Sequence, residues 1–351
     1  MNKNEIRVAV VGLGNCAGSL IEGLNYYRKS QIKEGLLFPI LGGYSLADIN
    51  IECGFDIARD KVGKTLSRAI YSFPNNFQRI SGIEVEENGP VYRGSTLDGN
   101  PEHLKKFVEE DPNDPVNVVD KLREHRIDIL INLLPTGSVE ATKFYAEAAL
   151  EAGCGFINCI PTEYAQNVEN IERFKKKNLP LIGDDIKSQV GSTIIHRAIL
   201  NMLLDRGAKI IKSSQLNIGG NTDFANFVYR AHTKLISKYK SLSLFLEEGI
   251  PNHIGHHYDP TKGPFKKTLF DVEAYVFGGS KVKISIQLES DDKPNSAGSI
   301  IDLIRIAQCE KEKGNGGCIY EACAYYTKSA PEQLKDKEAL DLVRSKWAPD
   351  E

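Results

Sequence analysis

The sequence predicts an α/β protein in two parts: a mostly parallel sheet covered by helices on both faces, and a separate α+β sheet inserted before the last helices. Three observations carry that prediction. Short apolar runs alternate with helix-like segments through the first half of the chain, which is the βαβ pattern of a parallel sheet. A glycine-rich turn, "GLGNCAG", joins the first apolar run to the first helix-like segment. After about residue 205 the runs begin to alternate apolar with polar residues, as a sheet with one buried face requires.

Taken in order, "IRVAVVG", "IECGFD", "DILINLLP", "GFINCIP" and "LPLIGDD" read as strands of the body. The first helix and the second strand are separated by an insertion, "NYYRKSQIKEGLLFPILGGYSLADI". "VEATKFYAEAALEAG" reads as a helix, with Val139, Phe144, Ala148 and Leu150 near helical spacing and Gly153 as its stop. "SSQLNIGG", "TLFDVEAYVFGG" and "KVKISIQLES" then read as strands of the second sheet. In the last, Val282, Ile284, Ile286 and Leu288 oppose Lys283, Ser285, Gln287 and Glu289, and Gly278 to Ser280 suits a hairpin turn. "SAGSIIDLIRIAQCEKEKG" returns to helix, with Ser296 or Ser299 expected as N-cap. Residues 1–200 with 296–351 are thus expected to form the body, and 201–295 the inserted domain.

Composition narrows the function classes. A length of 351 residues with 41% hydrophobic content supports one large or two ordinary cores. Lys+Arg 44 against Asp+Glu 47, a formal charge of −3, lacks the basic excess that gathers nucleic acid or anionic membranes. Seven scattered cysteines fit a reducing compartment, and neither Cys154/Cys159 nor Cys318/Cys323 has zinc-ligand spacing. The start "MNKNEIRVAV" has no apolar signal core, and no long uncharged apolar stretch follows. The expectation is a cytoplasmic protein with neither nucleic acid nor membrane as partner.

Gly12, Gly14 and Ala17 match G-x-G-x-x-G/A between a strand and a helix, the context in which that motif binds dinucleotides. Gly12 permits the tight turn, Gly14 lets backbone approach a pyrophosphate, and the helix N-terminus supplies amides and positive dipole. The plain alternative is a glycine-rich turn without ligand. The acidic residue of the second strand is best matched by Asp56, far down the chain because of the insertion. An Asp there favours NAD over NADP, although Arg59 stands near. A second turn, "GDDIKSQVGS", offers Asp184 and Asp185 to an amide or cation and Lys187 to an anion, with Ser188 placed to cap the next helix. His253, His256 and His257 fall in a Gly/Pro-rich polar stretch and read as surface residues rather than a metal site.

Together with "GGNTDF", "HTKLISKYKSLS", "LESDDKPNSAGSIIDLI" and "AYYTKSAPEQL", these motifs resemble the shorter prokaryotic branch of the myo-inositol-1-phosphate synthase family, from about Ile6 to Leu334. The resemblance implies a Rossmann-type NAD-binding domain with an inserted α+β domain used for catalysis and tetramerisation. It implies an NAD-dependent isomerase that turns D-glucose 6-phosphate into 1L-myo-inositol 1-phosphate by oxidation, enolisation, intramolecular aldol closure and reduction. Catalytic roles carry over to Lys234 in "TKLISK", Lys267 in "FKKTLF", Lys328 in "YYTKSAP" and Asp292 in "ESDDKPNSAG", the register between Lys266 and Lys267 being open by one residue. Substrate contacts carry over to Lys238, Lys187, Ser188, Asn221 and Asp223. Cofactor contacts carry over to Gly12, Gly14, Asn15, Cys16, Ala17, Asp56, Pro135, Thr136, Asp184 near the nicotinamide, and Asp185. The resemblance also leaves room for a mono- or divalent cation near the NAD phosphates or the substrate. A sugar-phosphate dehydrogenase on the same scaffold is the second reading. A non-catalytic sensor is the third, disfavoured because a pure binder gains little from clustered like charges.

Overall fold

The computed structural model describes residues 5–30, 32–86 and 88–349; of the N-terminal stretch considered for targeting, residues 1–4 lie outside the described residues. The first half builds β1 (Ile6–Val11), α1 (Asn15–Lys29), β2 (Ile49–Asp56), α2 (Leu66–Ala69), β3 (Val91–Arg93), α3 (Val118–Glu124), β4 (Ile129–Asn132), α4 (Val139–Ala152), β5 (Gly155–Asn158), α5 (Val168–Lys176) and β6 (Pro180–Ile182). The five expected strands of the body are β1, β2, β4, β5 and β6. α4 stops where Gly153 takes φ 84°, a left-handed conformation that glycine adopts without strain.

α6 (Ser192–Asp205) leads into β7 (Lys209–Gly219), α7 (Thr222–Arg230), α8 (His232–Leu242), β8 (Asn252–Tyr258), β9 (Lys266–Tyr275) and β10 (Lys281–Ser290). The chain then returns through α9 (Asp292–Glu312), β11 (Gly317–Cys318), α10 (Tyr320–Tyr326) and α11 (Asp336–Trp347). β9 and β10 are joined through Phe277 to Gly279, with Val276 N–H bonded to Ser280 O at 2.9 Å, so the "GGS" turn closes a hairpin.

Two sheets result. The first has the order β11-β6-β5-β4-β1-β2-β3, with parallel pairing throughout. Chain order reverses between β1 and β4, the switch point of a doubly wound sheet, where a crevice opens at the carboxyl ends of the strands. The second sheet, β10-β9-β7-β8, mixes antiparallel pairs with one parallel pair. α9 packs against α1 and over β5 and β6, bringing the segment after the second sheet back onto the first. A large apolar core fills the body, and a smaller one, including Ile199, Leu200, Leu242, Phe245, Phe270 and Val272, lies under the second sheet. No helix among the described residues is long and apolar enough to cross a membrane.

Two helix starts differ from expectation. α9 begins four residues before Ser296, because Asp291 caps it by accepting the Lys293 N–H at 3.0 Å, and Pro294 is tolerated in a first turn. Ser296 and Ser299 are therefore buried inside the helix. Ser188 does not cap α6, which starts at Ser192 with Gly191 as N-cap; the Ser188 hydroxyl instead meets that of Ser296 at 3.1 Å.

Candidate active site

A cleft enclosing about 290 Å³ runs from the glycine turn after β1 to the inner face of the second sheet. Gly12, at φ 84°, lies so close to the loop after β4 that a Cβ would come within 2.8 Å of Leu133 O. Gly14 is the N-cap of α1, with open space where a Cβ would stand and no side chain capping the helix. The first-turn amides of α1 thus face the cleft, an anion cradle of the kind that holds pyrophosphate. Asn15, Cys16, Ala17, Pro135 and Thr136 line the same end.

Asp56 closes β2 beside this turn. Its Oδ2 accepts the Leu13 N–H at 2.8 Å, and its Oδ1 accepts Ile57 and Ala58 N–H at 2.8 and 2.9 Å. Lys61, buried, donates to Leu13 O at 2.9 Å and stands 3.7 Å from the Asp56 carboxylate. Arg59, exposed, pairs with Glu109 at 2.6 Å.

The other end of the cleft gathers Lys234 and Lys238 from α8, Lys266 from β9, Asp292 from α9 and Lys328 from the segment after α10. Lys234 and Lys328 both donate to Asp185 Oδ1 at 2.9 Å, and Ser237 donates to Oδ2 at 2.6 Å. Burial pushes the Asp185 carboxyl up, but the two ammonium groups outweigh it and hold it well below the usual carboxylate range. Asp185 also keeps a left-handed φ of 61°, strain of the sort found at functional sites. Burial opposes the Lys234 charge, yet Asp185 and Asp223 hold its pKa above the ordinary lysine value. Lys328 comes down to about 8, burial and Lys234 outweighing Asp185. Lys238 is pushed well below the lysine range by burial and by Lys266, Lys328 and Lys234; its close partners are Ser192 Oγ at 3.2 Å and Asn217 Oδ1 at 3.3 Å. Lys266 is bonded to Asp292, whose carboxyl is held low by that ammonium against the cost of burial.

Several expected contacts fall elsewhere. Lys266, not Lys267, enters the cleft: β9 buries Lys266, Thr268, Phe270, Val272 and Ala274 on its inner face, so the pleat turns Lys267 to the other. Lys187 points away, donating to Ala324 O at 2.8 Å and Asp336 at 3.2 Å. Asp184 lies behind the cleft wall, accepting from Asn158, Tyr164, Ala165 and Gln166, and burial raises its pKa to about 7. Asp185 meets Lys234, Lys328 and Ser237. Ser188, Asn221 and Asp223 do line the cleft, with Asn221 also capping α7 through Phe224 N–H at 3.1 Å. Burial raises the Asp223 carboxyl, which accepts from Thr136 at 3.4 Å.

Sequence reading missed Ser192, Asn217 and His256, all on the cleft wall. His256 is not a surface residue: its ring packs 4.8 Å from Phe227, and its Nε2 is buried with no hydrogen-bond partner among the described residues. Burial, followed by Lys238, Lys234 and Lys266, pushes its pKa down to about 2, so the ring is neutral. Placing 252–258 on a strand paired to β7 would have shown His256 inward between exposed His253 and His257. Among the described residues no group of three or more His, Cys, Asp or Glu could hold a metal ion.

The pleat makes a test of its own. Lys266→Met is expected to lower kcat/KM by roughly 10²-fold, since one preorganised charge leaves a buried site. Lys267→Met, on the far face, is expected to stay within about threefold of the parent. Steady-state kinetics of the pair decide it, and the reverse order would return the role to Lys267.

The glycine cradle and the lysine cluster sit within a chain whose relatives are consistent in kind. A family model described as myo-inositol-1-phosphate synthase matches residues 191–293. An inositol-3-phosphate synthase of Corynebacterium glutamicum is 38% identical, covering 98% of this chain and 99% of the relative. One of Mycobacterium tuberculosis is 39% identical, covering 97% and 94%. The crystal structure of an inositol-3-phosphate synthase from Caenorhabditis elegans shares the fold, with a TM-score of 0.76 over 97% of this chain and 84% of that one at 16% identity. With this identity over nearly its whole length, the chain belongs to the myo-inositol-1-phosphate synthase family.

Proposed function

We propose that the chain converts D-glucose 6-phosphate into 1L-myo-inositol 1-phosphate with NAD as a cofactor returned unchanged. The observation that carries this reading is the convergence of four lysine ammonium groups and two carboxylates on one end of a cleft whose other end is a dinucleotide cradle. When bound, NAD supplies reversible hydride transfer at the sugar carbon.

The chain's own residues then have distinct tasks. The amides at the start of α1, freed by Gly14, hold pyrophosphate, and Asp56 faces the ribose. Asn221 and Asp223 hold sugar hydroxyls. Lys238 meets the substrate phosphate beside Ser192. Lys234, kept charged by Asp185, stabilises negative charge that develops on the sugar oxygens. Lys328, with a pKa of about 8, is mostly protonated near neutral pH, so it can give a proton to the developing oxyanion and take it back. Lys266, fixed by Asp292, adds a second charge at the closing bond. Lys238, Lys266, Lys328 and Asp185 are buried, where screening is weak and each interaction is strengthened.

Incubation with glucose 6-phosphate and trace NAD, followed by phosphorus NMR, tests the reaction: many turnovers per NAD are expected. One reduced cofactor per product would favour the dehydrogenase reading. Asp56→Ala is expected to weaken NAD binding by about 1–3 kcal/mol, measured by calorimetry, through loss of charge-assisted hydrogen bonds. Unchanged affinity would place the ribose elsewhere.

The second sheet also supports a homotetramer. Its edge strand β10 pairs with no further strand among the described residues, and Leu216, Tyr275 and Ile286 are exposed on or beside the sheet. Open edges and apolar faces are covered in stable proteins. Light scattering at micromolar concentration is expected to give a four-chain mass, and a monomer would contradict it. A cytoplasmic location accords with free cysteines throughout and a chain without membrane-crossing helices among the described residues.

A further inference from the structure

Behind Lys238, on the side away from the cleft, a line of polar side chains runs through the otherwise apolar second core. His196 of α6 is fully buried, its ring edge-on to Phe270 at 5.5 Å. Its Nε2 lies 2.7 Å from Ser213 Oγ and its Nδ1 3.1 Å from Gln215 Oε1. Gln215 Nε2 donates to Asn217 Oδ1 at 2.8 Å, and that oxygen also accepts from Lys238 Nζ and Thr268 Oγ1, each at 3.3 Å. Asn217 Nδ2 donates to Gly255 O at 3.0 Å. Ser213, Gln215 and Asn217 alternate along the inner face of β7, so one strand carries the whole line.

Donor and acceptor roles fix the line from one end to the other. A flipped Asn217 amide would turn its NH₂ toward an ammonium and its oxygen toward the Gly255 carbonyl, two repulsive contacts. With Asn217 Oδ1 toward Lys238, Gln215 must present its NH₂ to Asn217 and its oxygen to His196. His196 must then carry its proton on Nδ1 and accept from Ser213 at Nε2. Apolar side chains would fill this strip without the desolvation that four buried polar groups incur, so the line has a task other than filling space.

We propose that His196, acting through Gln215 and Asn217, is a positioning residue for Lys238, holding the acceptor oxygen that sets where this ammonium meets the anionic group of the substrate. The proposal rests on the reading of Lys238 as the phosphate contact. His196 acts without charge, burial having lowered its pKa to about 4. Lys238 faces Lys234 from its own helix, Lys266, Lys328, Asp292 and the neutral ring of His256. Its charged form depends on its neutral acceptors, so loss of the Asn217 oxygen lowers its pKa further.

The test uses the full-length enzyme with glucose 6-phosphate and saturating NAD. His196→Phe and Gln215→Met are each expected to raise KM for glucose 6-phosphate about tenfold, with kcat changed by less than about threefold. The alkaline limb of kcat/KM should move to lower pH in both. His196→Asn, whose amide N–H can replace the Nδ1–H, is expected to restore KM to near the parent value. Unchanged KM and pH profile in His196→Phe and Gln215→Met, alongside a raised KM in Lys238→Ala, overturn the relay while leaving the phosphate reading intact. An unchanged KM in Lys238→Ala overturns both. Nitrogen-15 NMR of the parent enzyme decides independently of any variant: a neutral ring protonated at Nδ1 down to pH 5 is expected, and protonation at Nε2 contradicts the proposal.

Discussion

Lys328→Ala is expected to lower kcat by roughly 10²–10³-fold while changing KM for glucose 6-phosphate little. The ammonium reaches the cleft by donating to Asp185 Oδ1 at 2.9 Å and to Ile186 O, so it is oriented before substrate arrives. Burial and Lys234 bring its pKa to about 8 against the pull of Asp185, close to the pH at which a proton must be both taken and given back. In the parent enzyme, turnover is expected to fall as pH rises through about 8, because the protonated amine is the form that meets developing oxyanion charge. That limb should be absent in the variant. Turnover near the parent rate would remove Lys328 from the chemistry, and a raised KM with unchanged kcat would make it a binding residue.

Asp185→Asn has the second large effect, because one carboxylate serves two lysines. Its side chain is fully buried and its two lysine partners nearly so. Removing one member of such a group leaves uncompensated charge in the interior, at a cost of about 3–5 kcal/mol. The expected outcome in denaturant unfolding is a loss of that size, with NAD and substrate absent. Kinetically, Lys328 loses the carboxylate that raised its pKa, so the alkaline limb of turnover moves below pH 8 and kcat falls on the order of 10²-fold. An unchanged pH profile would mean that Asp185 is only a structural support.

The glycine turn and five body strands could be read from sequence because each depends on local pattern: apolar runs of strand length, Gly at φ > 0, and G-x-G-x-x-A between strand and helix. The two- and three-residue strands β11 and β3 carry too little pattern to be seen. Side-chain direction was harder. The choice between Lys266 and Lys267 was in fact open to pleat counting, since Asp271 and Glu273 mark the solvent face and therefore put even-numbered residues inward. Lys187, Asp184 and Asp185 sit in one short turn, where adjacent residues diverge to Asp336, to the Tyr164 loop and to the lysines. Motif spacing cannot separate such neighbours, because their directions are set by strands and helices distant in sequence. His256 was hidden for the same reason: its inward face depends on β8 pairing with β7.

In an internal redox isomerisation the hydride taken from the sugar returns to the same molecule within one cleft. Turnover of glucose 6-phosphate deuterated at carbon 5, with NAD present at far below the substrate concentration, tests this return most directly. Deuterium retained in inositol phosphate, with no net reduced cofactor and with turnover slowed roughly 10²–10³-fold in Lys328→Ala, is the expected result. Deuterium accumulating in reduced cofactor, one equivalent per sugar consumed, would contradict it.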